Sequence, residues 1–261
     1  MSLEEYFLKN PQLENKLKDL ALDNFEYPNV SVLIPTYERR NFIPLIYNNL
    51  VKTLYPKNKL EVVIFDDGKN PLFLNKEEVE GFSKNIGINV NYIYDKSKHL
   101  TIGEKRNKLV KLSKFKICIN MDDDDIYFPQ YIPYSVKLLK KNKVGIVGSP
   151  EMIFTYPHYD FKISYIKCGA KRQAHEATFC YTKKHFKQMG GYVKKGLGEG
   201  SKLIDYNEKN SLMSDITNCM VCVCHKNNTC DKEQFKEENN KVIELELPDD
   251  YKELIKKILD L

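Results

Sequence analysis

The sequence predicts an α/β fold in which a mostly parallel β-sheet is flanked by helices, followed by a second half of mixed structure. Short apolar runs alternate with segments of helical spacing as far as about residue 150. Three of those runs end directly in polar or acidic residues, and the regular alternation stops after that point. Strands that alternate with helices indicate parallel pairing, because each connection has to cross over a face of the sheet.

The first half supplies the predicted sheet. Residues 3–22 predict a polar helical extension that is interrupted at Pro11. Thr101 and Glu104 have the spacing of a capping box, and Pro129 stands where a first helical turn tolerates proline. The apolar runs predict strands at 30–34, 60–65, 90–94, 115–121 and 144–148, and helical spacing predicts helices at 41–54, 76–84, 101–113 and 129–141.

The second half is less regular. It predicts strands at 162–166 and 177–181, a short helix before Gly190-Gly191, a strand at 242–247 and a helix at 251–259. The polar segment 167–176, which contains His175 and Glu176, is either a solvated loop or part of a site lining. We therefore divide the chain into an extension (1–27), a main domain (28–230, in halves 28–150 and 151–230) and a strand–helix tail (231–261).

Composition excludes some classes of protein. The 261 residues carry 41 basic and 36 acidic side chains, a balance too even to indicate a nucleic acid partner. No apolar run reaches the ~18 residues of a membrane span, and the acidic start of the chain does not resemble a signal peptide. Seven cysteines, an odd number, favour free thiols in a reducing compartment. We expect a cytoplasmic protein without stable membrane insertion.

Four consecutive acids, Asp122 to Asp125, follow the apolar run 115–121. Neighbouring like charges repel by about 1 kcal/mol per close pair even in water. A solvated acidic turn is one interpretation. On an extended backbone, however, Asp122 and Asp124 point to the same side, where their oxygens suit a hard divalent cation. This second interpretation is favoured because other strands are predicted to end nearby.

Two further strand ends carry polar groups that suit a nucleotide. Thr36 follows the first strand, and Asp66 and Asp67 follow the second, so either carboxylate can bind a base or ribose. Ligands of open parallel sheets bind beyond the carboxyl ends of the strands. The helix that starts near Gly103 adds backbone amides, and Arg106 adds a guanidinium that suits phosphate.

Four segments together resemble the successive motifs of the family 2 glycosyltransferases: 30–39, 61–68, 103–107 and 121–129. The resemblance covers roughly residues 28 to 230. It implies the GT-A fold, with a Rossmann-like sheet, a nucleotide-sugar half (28–150) and an acceptor half (151–230). It implies that the donor is bound by Pro35, Thr36, Tyr37, Glu38, Asp66, Asp67, Gly103, Arg106, Asn107, Asp122 and Asp123, and Mn²⁺ or Mg²⁺ by Asp122, Asp124 and His225.

The match in the second half is looser. Residues 177–181 and 190–192 are similar to the stretch before the family's catalytic loop, which usually carries Glu-Asp. This chain has Gly198-Glu199-Gly200 there, so Glu199 is the first candidate for the catalytic base and Asp205 the second. Residues 224–229 resemble a late His-x-x-Asn-Thr stretch of some members, which places His225 near the metal or the pyrophosphate.

The resemblance implies transfer of a sugar, with inversion, from a nucleotide diphosphate sugar to an acceptor hydroxyl. UDP is the first candidate nucleotide, and the acceptor is a glycan, a lipid-linked sugar or a protein side chain. Two alternatives stay open. A metal-dependent nucleotidyltransferase would also use paired aspartates, but would release pyrophosphate. A zinc-stabilised binding module would use the cluster Cys219, Cys222, Cys224, His225 and Cys230.

Overall fold

The computed structural model describes residues 25–167, 174–204, 209–228, 231–238 and 245–261. The helical extension predicted at 3–22, the base candidate Asp205 and Cys230 lie outside these ranges. The strand predicted at 242–247 lies partly outside them, and its described part, 245–247, is not a strand. No helix among the described residues is long and apolar enough to span a bilayer.

The described strands and helices alternate through the first half, as predicted. The strands are β1 (Val30–Thr36), β2 (Leu60–Asp66), β3 (Asn89–Tyr94), β4 (Ile117–Asn120), β5 (Ile126–Tyr127), β6 (Ile146–Gly148), β7 (Glu151–Tyr156), β8 (Lys162–Lys167), β9 (Cys180–Thr182), β10 (Ser211–Met213) and β11 (Met220–Val223). The helices are α1 (Ile43–Lys52), α2 (Lys76–Ile86), α3 (Ile102–Leu112), α4 (Tyr131–Lys141), α5 (Lys183–Gln188) and α6 (Asp249–Leu259).

The main sheet has seven strands in the order β10-β6-β9-β4-β1-β2-β3. β4, β1, β2 and β3 are parallel, and Thr36 at the end of β1 pairs with Asp66 at the end of β2. β4 ends beside them, since the Met121 amide donates to the Leu33 carbonyl at 3.0 Å. The carboxyl ends of the three strands therefore meet at one edge, as the sequence predicted.

Continuous burial explains the apolar runs of β1 and β2. Every residue of both strands is buried, as expected where helices cover both faces of a parallel sheet. Two of the polar side chains pair across the strands, because Ser31 Oγ donates to Glu61 Oε1 at 2.6 Å. The sheet is thus fixed rigidly below the edge where its polar ends meet.

The predicted capping box at the start of α3 is confirmed. The Glu104 amide donates to Thr101 Oγ1 at 3.3 Å, and the Thr101 amide donates to Glu104 Oε2 at 3.0 Å. The next helix was predicted to begin at Pro129 but begins at Tyr131. Pro129 belongs to the preceding turn instead, where its carbonyl accepts a hydrogen bond from the Leu54 amide at 2.9 Å.

The second half differs more from the prediction. A second sheet has the order β5-β11-β7-β8, and β5, β7 and β10 were not predicted. The strand predicted at 177–181 is wrong at its start, where Glu176–Thr178 forms a 3₁₀ turn before β9. Thr178 Oγ1 donates to the His175 carbonyl at 2.7 Å and accepts from the Ser149 amide at 2.8 Å, which favours the turn.

The cysteine-rich segment is part of the hydrophobic core. Cys219, Cys222 and Cys224 are buried in and beside β11, and each is a free thiol. Within the described ranges, no group of three or more His, Cys, Asp or Glu side chains is placed to hold a metal ion. The described cysteines therefore give the zinc-module alternative no support, and Cys230 lies outside the described residues.

Candidate active site

A cavity of about 790 Å³ opens at the carboxyl edge of the main sheet. Its size is that of a small-molecule site, and its place is the one where open α/β sheets bind ligands. Residues from β1, α3, the acid run and three later loops line it: Pro35 to Arg39, His99 to Ile102, Lys105, Arg106, Asp122 to Asp125, His175, Glu176, Gly196 to Glu199, Asn227, Asn228 and Lys232.

The loop after β1 presents an aromatic ring and a fixed carboxylate to the cavity. The Tyr37 side chain is partly exposed, and the Lys105 ammonium lies 5.0 Å from the centre of its ring. Glu38 has a positive φ of 56°, and its carboxylate accepts hydrogen bonds from the Asn70 side chain at 2.8 Å and amide at 3.0 Å. These bonds from Asn70 lower the pKa of Glu38 and join the loops that follow β1 and β2.

Asp66 and Asp67 lie beneath the lining rather than on it. Asp66 accepts hydrogen bonds from the Leu72 amide at 2.7 Å and from the Tyr92 hydroxyl at 2.8 Å. Asp67 is buried, forms an ion pair with Lys105 and accepts from the Leu100 amide at 2.6 Å. Both carboxylates therefore fix the loops around the cavity, while their contact with a nucleotide stays a prediction.

Asp122 is held by Arg106. The guanidinium Nη2 lies 2.9 Å from Asp122 Oδ1 and 3.1 Å from Oδ2, and Arg106 Nε donates to Glu199 Oε1 at 3.0 Å. Burial raises the pKa of Asp122, although the Arg106 charge opposes the increase. Burial by itself would lower the pKa of Arg106, but Asp122 and Glu199 raise it well above its usual value. Arg106 is thus a fixed cation between two carboxylates.

Asp124 meets a different set of groups. Its Oδ2 lies 3.1 Å from His225 Nε2 and accepts from Arg39 Nη2 and Asn228 Nδ2, each at 3.3 Å. Burial alone would raise the pKa of Asp124, but the hydrogen bond from His225 and the charges of Lys232 and Arg39 lower it. Asp124 is consequently the member of the run whose pKa is lowered by its surroundings.

The other two acids of the run are more strongly desolvated. Burial and the charge of Asp124 raise the pKa of Asp123 well above its usual value. Burial also raises the pKa of Asp125 to about 7. Asp125 Oδ1 accepts from the Val223 amide at 3.0 Å, and Cys222 Sγ lies 3.6 Å from Oδ2. Asp125 thereby joins the acid run to β11 and has a structural role.

Gly103 and Asn107 position the later loop without lining the cavity. A Cβ on Gly103 would lie 1.9 Å from the Val193 carbonyl oxygen, so glycine is required for this close approach. Asn107 Nδ2 donates to the Tyr192 carbonyl at 2.8 Å, and the Tyr192 amide donates back to Asn107 Oδ1 at 2.9 Å. Both residues, predicted as donor ligands, hold α3 against residues 192–199.

The acidic side of the cavity contains two glutamates. Glu199 is 6% exposed and is paired with Arg106. Glu176 also lines the cavity, and its Oε1 accepts from the Gly200 amide at 3.0 Å. Burial and the neighbouring charge of Glu199 raise the pKa of Glu176 to about 6. The polar segment at 167–176 was the signal for this residue, and its members His175 and Glu176 line the cavity.

Sequence reasoning missed most of the basic groups. Arg39, Lys105 and Lys232 line the cavity, whereas the predicted His225 lies behind Asp124 and is 2% exposed. Arg39 closes the first motif and Lys105 precedes Arg106, so both had a weak signal in the sequence. Lys232 had none, because it reaches the site from the segment that follows β11.

The residues present fit a divalent cation held jointly with a ligand. Asp124 Oδ2 and His225 Nε2 lie 3.1 Å apart, and a carboxylate oxygen and an imidazole nitrogen are both ligands that divalent metals accept. Asp123 Oδ2 is buried without a hydrogen-bond partner among the described residues. Because these residues do not form a complete protein ligand set, oxygens of a bound molecule would have to complete the coordination.

The sheet, the acids at its edge and the capped α3 define a GT-A-type nucleotide-sugar fold. The model of the family "Glycosyl transferase family 2" matches residues 31–191, more than half of the chain. The chain therefore belongs to glycosyl transferase family 2.

The comparisons with individual proteins agree with this family. An uncharacterized glycosyltransferase of Rickettsia prowazekii is 29% identical over 126 residues, which are 48% of this chain and 36% of that protein. The match thus spans little more than a third of that relative.

Two solved structures share the fold at low identity. TarS 1–349 of S. aureus in complex with UDP-GlcNAc has a TM-score of 0.59 at 14% identity, over 77% of this chain and 60% of that one. The mannosyltransferase PcManGT of Pyrobaculum calidifontis, in complex with GDP-Man and Mn²⁺, has a TM-score of 0.53 at 16% identity, over 89% and 68%. At these identities, the two structures show the GT-A fold and nothing finer.

Proposed function

We propose that this protein is a glycosyltransferase that moves a sugar from a nucleotide diphosphate sugar, with a UDP-sugar as the first candidate, to an acceptor hydroxyl. One observation carries the proposal: a family 2 chain joins its acid run and four basic side chains around one cavity at the carboxyl edge of the sheet. The structural neighbours support the donor class, because TarS 1–349 is in complex with UDP-GlcNAc and PcManGT with GDP-Man.

The cavity offers matching groups for each part of such a donor. The Tyr37 ring lines the cavity next to the first two parallel strand ends, with the centre of the His99 ring 4.3 Å away, and would contact a base through its exposed part. Arg39, Lys105 and Lys232 supply positive charge for a diphosphate. Asp124 holds Arg39 in place, and Asp67 holds Lys105. The donor would therefore lie between the β1 loop and the acid run.

Asp124 and His225 would hold the divalent ion, with Asp122 close by. When bound, Mn²⁺ or Mg²⁺ would act as a Lewis acid that neutralises charge on the departing nucleoside diphosphate. Arg106 is fixed between Asp122 and Glu199, and it adds a buried positive charge that needs no rearrangement during the reaction. Attack by the acceptor hydroxyl from the side opposite the diphosphate would invert the anomeric carbon.

The experiment is the release of nucleoside diphosphate from UDP-GlcNAc, UDP-glucose, UDP-galactose and GDP-mannose, each with Mn²⁺ and with EDTA. Water and added hydroxyl compounds serve as acceptors. Release from one donor that stops in EDTA is expected. Asp249→Asn is the matched control for Asp124→Asn, because Asp249 is exposed on α6. Pyrophosphate in place of nucleoside diphosphate would favour the nucleotidyltransferase alternative, and absence of both release and UDP binding would reject the transferase.

A further inference from the structure

We infer that Glu176 is the carboxylate that takes the proton from the attacking hydroxyl. The inference rests on the proposed function and adds a catalytic residue that the sequence did not select. In the step, the acceptor O–H bond breaks and its proton passes to Glu176. The acceptor oxygen bonds to the anomeric carbon, and the bond from that carbon to the phosphate oxygen breaks, so its electron pair leaves with the nucleoside diphosphate.

Gly200, at a position with no room for a side chain, helps to fix the position of Glu176. A Cβ on Gly200 would lie 2.6 Å from Glu176 Cγ and 3.1 Å from Oε1. The Glu176 side chain therefore fills the space beside Gly200, and the Gly200 amide orients Oε1 at 3.0 Å. A backbone donor and a steric boundary together hold this carboxylate in one place at the cavity wall.

Glu176 keeps an oxygen available for a proton. Among the described residues, the Gly200 amide donates to Oε1 at 3.0 Å, and no other residue donates to Oε2. The side chain is partly exposed and lines the cavity. The Glu176 carboxylate therefore lies at the wall of the cavity in which an acceptor would bind.

Glu199, the candidate from the sequence, is placed differently. Its Oε1 accepts from Arg106 Nε at 3.0 Å, and the same guanidinium holds Asp122. With 6% of its side chain exposed, Glu199 has little surface for a substrate hydroxyl. We assign it to the positioning of Arg106, which makes the two glutamates separable by experiment.

The electrostatic surroundings suit a proton acceptor near neutral pH. Burial and the charge of Glu199 raise the pKa of Glu176 to about 6, while Arg106 opposes the increase. His175, the neighbour on the same turn, does not neutralise it, because burial and the charges of Lys232 and Arg106 lower the pKa of His175 to about 3. A base with a pKa close to the working pH is the most effective kind.

The test uses Glu176→Gln, which keeps an oxygen to accept from the Gly200 amide and so preserves the fold. We expect nucleoside diphosphate release from the donor panel to fall about 10²–10³-fold, as for loss of a general base. Binding of UDP with Mn²⁺, measured by calorimetry, should stay within about twofold, because the variant leaves the Asp124 side of the cavity intact. Glu77→Gln on the exposed face of α2 is the matched control.

Rescue separates a proton acceptor from a merely structural residue. Glu176→Ala opens space beside Gly200, and formate added to that variant should restore release at least tenfold, whereas formate should not restore Glu199→Ala. Full release by Glu176→Gln, or parallel loss of release and UDP binding without formate rescue, would overturn the inference and leave the transferase intact. A wild-type protein that neither binds UDP nor releases diphosphate would instead reject the proposed function, and the inference with it.

Discussion

Four aspartates that are consecutive in the chain have four different sets of neighbours. Asp122 faces Arg106, Asp124 faces His225 and Arg39, and Asp125 anchors β11. One oxygen of Asp123 has no hydrogen-bond partner among the described residues. Repulsion within the run is therefore opposed by cations at Asp122 and Asp124 and by a backbone amide at Asp125. Burial raises the pKa of the other three acids, whereas the hydrogen bond from His225 and nearby positive charges lower the pKa of Asp124.

At the residue scale, Asp124→Asn should lower Mn²⁺-dependent release of nucleoside diphosphate by about 10²-fold or more. The substitution removes the charge that His225 and Arg39 share, and with it the ligand proposed for the ion. Release measured over a Mn²⁺ titration checks this, with Asp249→Asn as the control. An unchanged Mn²⁺ dependence in Asp124→Asn would show that the ion is held elsewhere.

The pH dependence of release tests the environment of Glu176. A proton acceptor has to be charged, so release should fall as the pH drops through about 6, the raised pKa of Glu176. In Glu199→Gln the acid limb should move to lower pH, because the charge of Glu199 is one cause of the increase. A pH–kcat profile of both proteins measures this, and an acid limb at the same pH in both would contradict it.

At the scale of the elements, local sequence patterns predicted individual strands and helix starts well. They did not predict which distant strands pair with each other. The apolar runs of β1 and β2 and the Thr101–Glu104 capping box are visible in the sequence, because burial on both faces and the cap leave local patterns. The antiparallel insertion of β9 between β4 and β6 has no such pattern, since its direction depends on partners far along the chain.

The candidate site follows the same division. Asp122, Asp124 and Arg106 follow strands or begin a helix, so their convergence could be predicted from the parallel sheet. Glu176 belongs to a 3₁₀ turn that depends on contacts of Thr178 with Ser149, and Lys232 comes from a distant segment. No local spacing in the sequence indicates that Glu176 or Lys232 reaches the cavity. The sequence therefore left the role of Glu176 undecided and gave no prediction for Lys232.

The contact between α3 and the later loop gives a prediction about an element. Gly103→Ala would place a Cβ 1.9 Å from the Val193 carbonyl oxygen, so the helix start or the loop has to move. We expect a loss of about 1–3 kcal/mol in the free energy of unfolding, as for overpacked sites. Urea denaturation measures it, and release should also fall because the loop carries Glu199.

Gly81→Ala is the matched control for that change. Gly81 lies within α2, and a Cβ there would meet nothing within 4 Å. Alanine should therefore stabilise the protein by about 0.5–1 kcal/mol through helix propensity and a smaller loss of backbone entropy. Equal effects of the two substitutions would mean that the 103–193 contact does not constrain the fold.

At the scale of the whole molecule, one hydrophobic core connects the site to the rest of the chain. The larger cluster of buried side chains includes Val32 of β1, Phe154 of β7 and Ile255 of α6. The acid-rich edge therefore rests on a core shared by both halves and the C-terminal helix. Local repulsion at the edge is opposed by the cooperative stability of the whole fold, and cations that bind there should add to that stability.

This linkage predicts that UDP with Mn²⁺ raises the melting temperature. A ligand present at about 100 times its Kd stabilises the folded state by about 2.7 kcal/mol, and each kcal/mol corresponds to about 2–4 °C for a chain of this size. We expect an increase of about 5–10 °C in a thermal melt. EDTA should remove most of this increase in melting temperature, and so should Asp124→Asn. The Glu176→Gln variant should retain the increase, because Glu176 acts on the acceptor and not on the diphosphate. A full shift in EDTA would show that Arg39, Lys105 and Lys232 hold the diphosphate without an ion.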